Sequence, residues 1–341
     1  MTAMTTVETG TATAIVFPGI SPCRFADVGK FMLINPVARR LTAAADDTLG
    51  YSLIDHFRGV EREYTEYERV AFLVVCLALA YWTEESLGIR PGICVGPSFG
   101  GTPAAVYSGA LSFPDAVLLT ARWSRYVEEY FAREHGDVVT QSFARTPHDQ
   151  LAEILRELDA QGEWYDIACY VDHDFSMLSL RESKLDWLHR QLRSRGGLPL
   201  YTMRPPMHLR AFGPLRDILE RELISELRFT DPGTPVVCDH DGTVLSSGEE
   251  IRTLLLDGVF RAVRWPQALA TLHRHGVQTL YVSGPDALWG RVDCTRRSFE
   301  VVALTPGMAL APRRLRVRTG TPPHRVPLEV GAGRMSDGGR W

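Results

Sequence analysis

Short apolar runs that end in glycine or proline alternate with segments of helical period along most of the chain. This alternation restricts the possible fold more than any other feature. TAIVF (13–17) stops at Pro18-Gly19, and GICV (92–95) stops at Gly96-Pro97. YDIACYV (165–171), LPLYTM (198–203), TPVVCDHDGTV (234–244) and QTLYVSG (278–284) read as further strands, the third running into a turn. Between them, residues 24–40, 66–83, 114–134, 149–160, 184–194, 213–228, 265–275 and 286–298 have helical patterning, and another helix is expected to start near Gly101. Buried strands joined by helices predict a layered α/β core. Residues 135–205 carry their own helix–strand–helix–strand order. They are expected to form a small inserted α+β subdomain, with 13–134 and 206–310 as the large core. Residues 311–341 turn to Arg, Pro and Gly and are expected to be a mostly disordered tail.

The bulk numbers agree with a globular protein. The chain has 341 residues, is 45% hydrophobic and carries a net charge of −4, which gives no case for nucleic acid or an anionic membrane. Its longest apolar stretch, VAFLVVCLALAYW, suits a buried core helix better than a membrane span. The N-terminus MTAMTTVETGTATA lacks the basic and apolar regions of a signal peptide. The six cysteines are scattered, with no CxxC pair, as buried thiols in a reducing cytosol would be. A cytoplasmic location is expected.

Three chemistries are open. The first is acyl transfer at Ser98. In CVGPSFGG (94–101) small residues flank a serine at the end of an apolar run, as in a strand-to-helix nucleophile elbow. A serine hydroxyl needs a base. Among ten histidines, His208 in PPMHLRAFGP stands on a loop leading into a helix. Negative charge on the attacked carbonyl needs N–H donors; the Phe99 amide is one, and the loop near Ile20 can give a second. The second chemistry is phosphoryl transfer at Asp239, because PVVCDHDGTV resembles the opening motif of haloacid dehalogenase phosphatases. No Lys follows Lys184, however, and no acidic pair follows Ser283, so the rest of that family's set is lacking. A strand entering an Asx-type turn also explains the motif. The third is a metal site at His273 and His275 or at Asp172-His173-Asp174; exposed polarity accounts for both, and no metal site is expected.

Several landmarks in order resemble the malonyl-CoA:acyl-carrier-protein transacylase family of fatty-acid and polyketide synthases. VFPGI (16–20), GPSFGG (96–101), DAVLLTARWSRYVEE (115–129), MHLRAFGP (207–214), LLLDGVFRAVRW (254–265) and GVQTLYVSGP (276–285) carry the resemblance, which covers about residues 13 to 310. It implies an α/β-hydrolase-like core with an inserted ferredoxin-like subdomain. It implies Ser98 as acyl carrier and His208 as general base, then general acid. The Phe99 and Ile20 amides form the oxyanion hole, and a backbone carbonyl near Gly258 orients the histidine. No cofactor is implied, and substrates arrive on the 4'-phosphopantetheine of carrier proteins, with CoA as another donor.

The departures from the family are as telling. Pro97 replaces a His before the serine, Ile20 replaces a Gly or Gln, and Glu68 falls where a Gln is usual; Pro97, Glu68 and Trp123 are the expected substrate contacts. Trp123 stands where the family places an Arg that pairs with a malonyl carboxylate. An indole cannot replace that bidentate contact. An unpaired buried carboxylate would cost about 3–5 kcal/mol. Arg122 and Arg125 flank the position but point about 100° or more away on a helix. The expected cargo therefore lacks a terminal carboxylate, as in the discrete acyltransferases of macrolactam polyketide pathways. Those move an aminoacyl or dipeptidyl group from a stand-alone carrier to the carrier of a polyketide synthase loading module. A malonyl or simple-acyl transacylase and an editing hydrolase are the alternatives. Carriers are acidic, so Arg204, Arg210, Arg296 and Arg297 are the expected docking residues.

Overall fold

The computed structural model describes residues 12–60 and 64–311. The expected tail lies, beyond Ala311, outside the described residues. Eleven strands are described: β1 (Ala12–Val16), β2 (Ile93–Val95), β3 (Val138–Ala144), β4 (Tyr165–Asp172), β5 (Phe175–Arg181), β6 (Leu198–Met203), β7 (Val236–Val237), β8 (Val244–Leu245), β9 (Val263–Arg264), β10 (Val277–Ser283) and β11 (Glu300–Leu304).

The larger sheet has the order β11-β10-β1-β2-β7-β8. Its first five strands run parallel and β8 pairs antiparallel with β7. Parallel strands must be covered on both faces, which is why Ala14, Ile15 and Val16 are continuously apolar and fully buried. The helix Glu66–Leu87 supplies much of the cover. Thr65 caps its start by accepting the Glu68 N–H, and Gly88 ends it at φ 71. By length and composition it could cross a membrane, but from Val70 to Ala80 no side chain is more than 1% exposed. It is apolar because it is the core of this layer.

The smaller sheet has the order β6-β3-β5-β4-β9. With the helices His148–Ala160 after β3 and Leu185–Ser194 after β5, its first four strands make a β-α-β-β-α-β unit. That is the ferredoxin-like arrangement. Val139, Phe143, Leu178 and Leu180 face those helices in a core of their own. The fifth strand, β9, comes from the later part of the chain and pairs parallel with β4. It stitches the subdomain to the α/β-hydrolase-like core.

β3, β5, β9 and β11 are not among the strands expected from the sequence. The sequence also reads as one helix over 24–40, where Pro36 starts a second helix capped by Asn35, whose Oδ1 accepts from Val37 and Ala38. Residues 213–228 form the helix Gly213–Leu219 followed by a wider turn, Glu220–Ile224, and of 286–298 only Asp293–Ser298 is helical.

Candidate active site

β2 ends in a turn that requires glycine on both sides of Ser98. A Cβ on Gly96 would sit 1.9 Å from the Gly100 carbonyl oxygen, and one on Gly100 would sit 2.0 Å from that of Phe17. Ser98 lies between them at φ 56, a left-handed conformation rare for a residue with a side chain. Its N–H donates to Asp239 Oδ2 at 2.7 Å, tying the elbow to the turn after β7. Sheet order makes the contact possible, because β7 is the neighbour of β2.

His208 also has positive φ, 67, and precedes a short turn, Arg210–Phe212, that enters the helix Gly213–Leu219. The adjacent Leu209 N–H donates to the Val259 carbonyl at 3.0 Å, which fixes the loop. Ser98 Oγ and His208 Nε2 are 2.8 Å apart. Burial of the imidazole lowers its pKa to about 4; the Asp239 charge and the Arg261 carbonyl work the other way, and His240 adds to the lowering. The ring is therefore neutral near pH 7, and its Nε2 can accept the serine proton once the ring proton is on Nδ1.

One expectation is corrected here. Gly258 caps the helix Gly248–Asp257, its N–H bonded to Leu255. The N–H groups of Phe260 and Arg261 both turn back to the Asp257 carbonyl, so the chain makes a further turn. The carbonyl that favours the charged His208 ring is consequently that of Arg261, three positions later. It makes no hydrogen bond of ordinary geometry, since Nδ1 is buried and unpartnered.

The other expected residues divide. Phe99 is half-buried, edge-on to Phe72 with centroids 5.6 Å apart, and its N–H lies in a first helical turn where such groups have no intrahelical partner. Ile20 is half-buried on the loop after β1. That loop lies against the elbow, since a Cβ on Gly19 would be 3.1 Å from the Pro97 carbonyl oxygen. Pro97 is buried, and its carbonyl accepts the Gly100 N–H at 3.0 Å. Glu68 is buried with both carboxylate oxygens engaged, one by the Cys23 N–H at 2.6 Å and the other by the Tyr64 N–H. Trp123 is half-buried on the helix Phe113–Glu134, packed against the core. Arg122 donates to the Glu222 carbonyl at 3.1 Å, and Arg125 grips Glu66 with two hydrogen bonds of 2.7 and 3.2 Å. Of the expected docking residues, Arg204 pairs with Glu182, Arg210 with Asp166 and Arg297 with Asp293. Arg296 makes no ion pair among the described residues. Asp172 holds the Cys294 N–H at 2.8 Å at a hairpin turn, and among the described residues no group of three metal-ligating side chains occurs. The Asp239 carboxylate is likewise committed to Ser98, unlike a free phosphate-attacking nucleophile.

A cavity of about 530 Å³ opens above His208, between the small subdomain and the β9 segment. Its lining includes His240, Arg210, Arg261, Arg264 and Tyr170. The Arg264 guanidinium lies 4.7 Å from the Tyr170 ring centroid, a cation–π contact. His240, Arg261 and Arg264 were not singled out from the sequence. The pairing of β9 with β4 brings Arg264 here, and a two-residue strand carries no sequence signal of that pairing.

Comparison with known proteins gives the same picture. A family profile described as the VinK acyltransferase small domain matches residues 142–203. The malonyl CoA-acyl carrier protein transacylase of Bacillus subtilis (strain 168) is 25% identical over 300 residues, covering 86% of this chain and 93% of that protein. Its counterpart from Escherichia coli (strain K12) is 24% identical over 278 residues, covering 80% and 88%. A type II polyketide synthase acyl-carrier protein in complex with its malonyl-transacylase, PlMCAT:AntF, superposes with a TM-score of 0.78 at 23% identity, covering 87% of this chain and 97% of that one. The Coxiella burnetii transacylase superposes at 0.76, also with 23% identity, covering 88% and 96%. In sequence and fold the chain is similar to the malonyl-CoA:acyl carrier protein transacylase-type acyltransferases.

Proposed function

We propose that the protein moves an acyl group without a free terminal carboxylate, of the aminoacyl or dipeptidyl class, between carrier proteins through an ester on Ser98. The observation that carries the transfer chemistry is the 2.8 Å contact between Ser98 Oγ and His208 Nε2 on a strained elbow. The proton of Ser98 passes to Nε2 as Oγ attacks the thioester carbonyl. The Phe99 and Ile20 amides receive the developing oxyanion. Collapse of the tetrahedral intermediate breaks the carbon–sulfur bond, and the imidazolium returns its proton to the departing thiolate. The second half repeats this in reverse with the thiol of an acceptor carrier, so the base becomes the acid. Water in place of that thiol would make the protein a hydrolase.

Carrier proteins are the partners named for the relatives, and a phosphopantetheine arm suits the cavity above His208. Arg210 and Arg264 stand on its rim, beside the acidic Asp166. Arg204, Arg296 and Arg297 are the other docking residues of this reading.

The cargo assignment rests on Trp123. The two neighbouring arginines are engaged elsewhere, Arg122 by a carbonyl and Arg125 by Glu66, so that turn of helix offers no guanidinium for a malonyl carboxylate. The malonyl reading follows from the names of the 25%-identical relatives. Competition between malonyl- and aminoacyl-carriers for the enzyme separates the two. The expected result is aminoacyl loading by the wild type, with Trp123→Arg gaining malonyl loading by about tenfold or more. Preferential malonyl loading by the wild type refutes the assignment.

A further inference from the structure

The Asp239-His240 segment, which resembles a phosphatase motif, lies directly under the serine elbow. Asp239 and His240 are each 2% exposed. Asp239 Oδ2 takes the Ser98 N–H at 2.7 Å, and Oδ1 lies 3.5 Å from His240 Nε2. His240 Nδ1 contacts the Ala262 carbonyl at 3.3 Å, while its Nε2 has no hydrogen-bond partner. A full carboxylate is more than an amide anchor needs. Any neutral acceptor would hold the Ser98 N–H, and burying a charge is costly unless that charge is used. Among the described residues His208 Nδ1 has no hydrogen-bond partner.

We propose that Asp239 is a positioning residue for the transfer reaction, acting on both partners of the dyad. Its carboxylate fixes the Ser98 backbone in the elbow. Its charge stabilises the imidazolium that His208 becomes when it takes the serine proton, and His240 beside it sets the strength of that effect. The proposal rests on the Ser98–His208 reading above. Among the described residues no carboxylate contacts the histidine, so the charge works across the site. The groups facing His208 are Asp239 and His240 on the β7–β8 turn and the Arg261 carbonyl on the loop before β9, with Arg210, Arg261, Arg264 and Asp166 lining the cavity above it. Burial lowers the proton affinity of His208 most, Asp239 raises it and His240 lowers it, so the two neighbours oppose each other.

The test uses a fluorophosphonate, which forms a phosphorus–oxygen bond to an active serine and loses fluoride. It reads the dyad without any acyl substrate. Rates are measured by pH jump, with wild-type circular dichroism required of each variant. Wild-type labelling lost in Ser98→Ala establishes the nucleophile; an unlabelled wild type would refute the underlying reading instead. Asp239→Asn keeps an acceptor for the Ser98 N–H and loses the charge. It is expected to label about tenfold or more slowly on the plateau, with the acidic limb of the rate profile moved to lower pH. His240→Gln is expected to move that limb to higher pH. If Asp239→Asn is not folded, His240→Gln decides alone. Unmoved limbs, whether or not the plateau falls, would overturn the proposal and reduce Asp239 to a backbone anchor.

Discussion

A buried neutral histidine should make the fold itself sensitive to acid, and His208→Asn isolates its share. The imidazole is 7% exposed, and burial lowers its pKa from 6.5 to about 4. The folded form thus binds its proton more weakly than the unfolded chain does. Its contribution is constant well above pH 6.5, declines as pH falls through the unfolded value, and is exhausted below the folded value. Integrated over that window, it removes about 2 kcal/mol between pH 7 and pH 5, and about 3 kcal/mol by pH 4. Asparagine does not titrate, so the variant loses this term while remaining able to hydrogen-bond. The assay is urea denaturation of both proteins at pH 7, 6, 5 and 4, compared as the difference in unfolding free energy. Asn at this site should be the less stable protein at pH 7 and close the gap by about 2 kcal/mol at pH 5. Parallel pH dependences would show that His208 is not held neutral by burial, and the base assignment would lose its electrostatic ground.

Two other perturbations follow from the site. Gly100→Ala puts a Cβ against the Phe17 backbone, where no flexible side chain can yield, so about 1–3 kcal/mol of stability is expected to go by thermal unfolding. Its acylation rate per folded molecule should also drop, about 100-fold for a displacement of the elbow near 1 Å. Glu68→Gln turns an amide NH2 toward one of two backbone donors and should cost about 1–3 kcal/mol by thermal unfolding.

The sequence carried the large features because their causes are local. The serine elbow is written in Gly96 and Gly100, which meet other backbone at about 2 Å. The core helix is written in the apolar run between Thr65 and Gly88. β3 and β5 were illegible for a physical reason. VVTQSFA and FSMLSLR are buried almost throughout, yet hydroxyls and an amide interrupt their apolar residues. Partners for some of them come from other elements: Thr140 bonds Ser179 at 2.7 Å, and Gln141 bonds His189 and Thr202. The site shows the same split. Ser98 and His208 stand out by type and setting, while Asp239 reads in the sequence as a strand-end turn, and its bond to Ser98 comes from β7 lying beside β2. The carbonyl beside His208 was misplaced by three residues because a turn after Asp257 has no distinctive sequence.

A covalent acyl group on Ser98 is read by intact-mass spectrometry after incubation with acyl-loaded carrier proteins. The expected result is a mass gain equal to the acyl group with aminoacyl or dipeptidyl carriers, absent in Ser98→Ala. A wild-type protein that gains no mass from any acyl carrier, or an adduct that persists in Ser98→Ala, would contradict it.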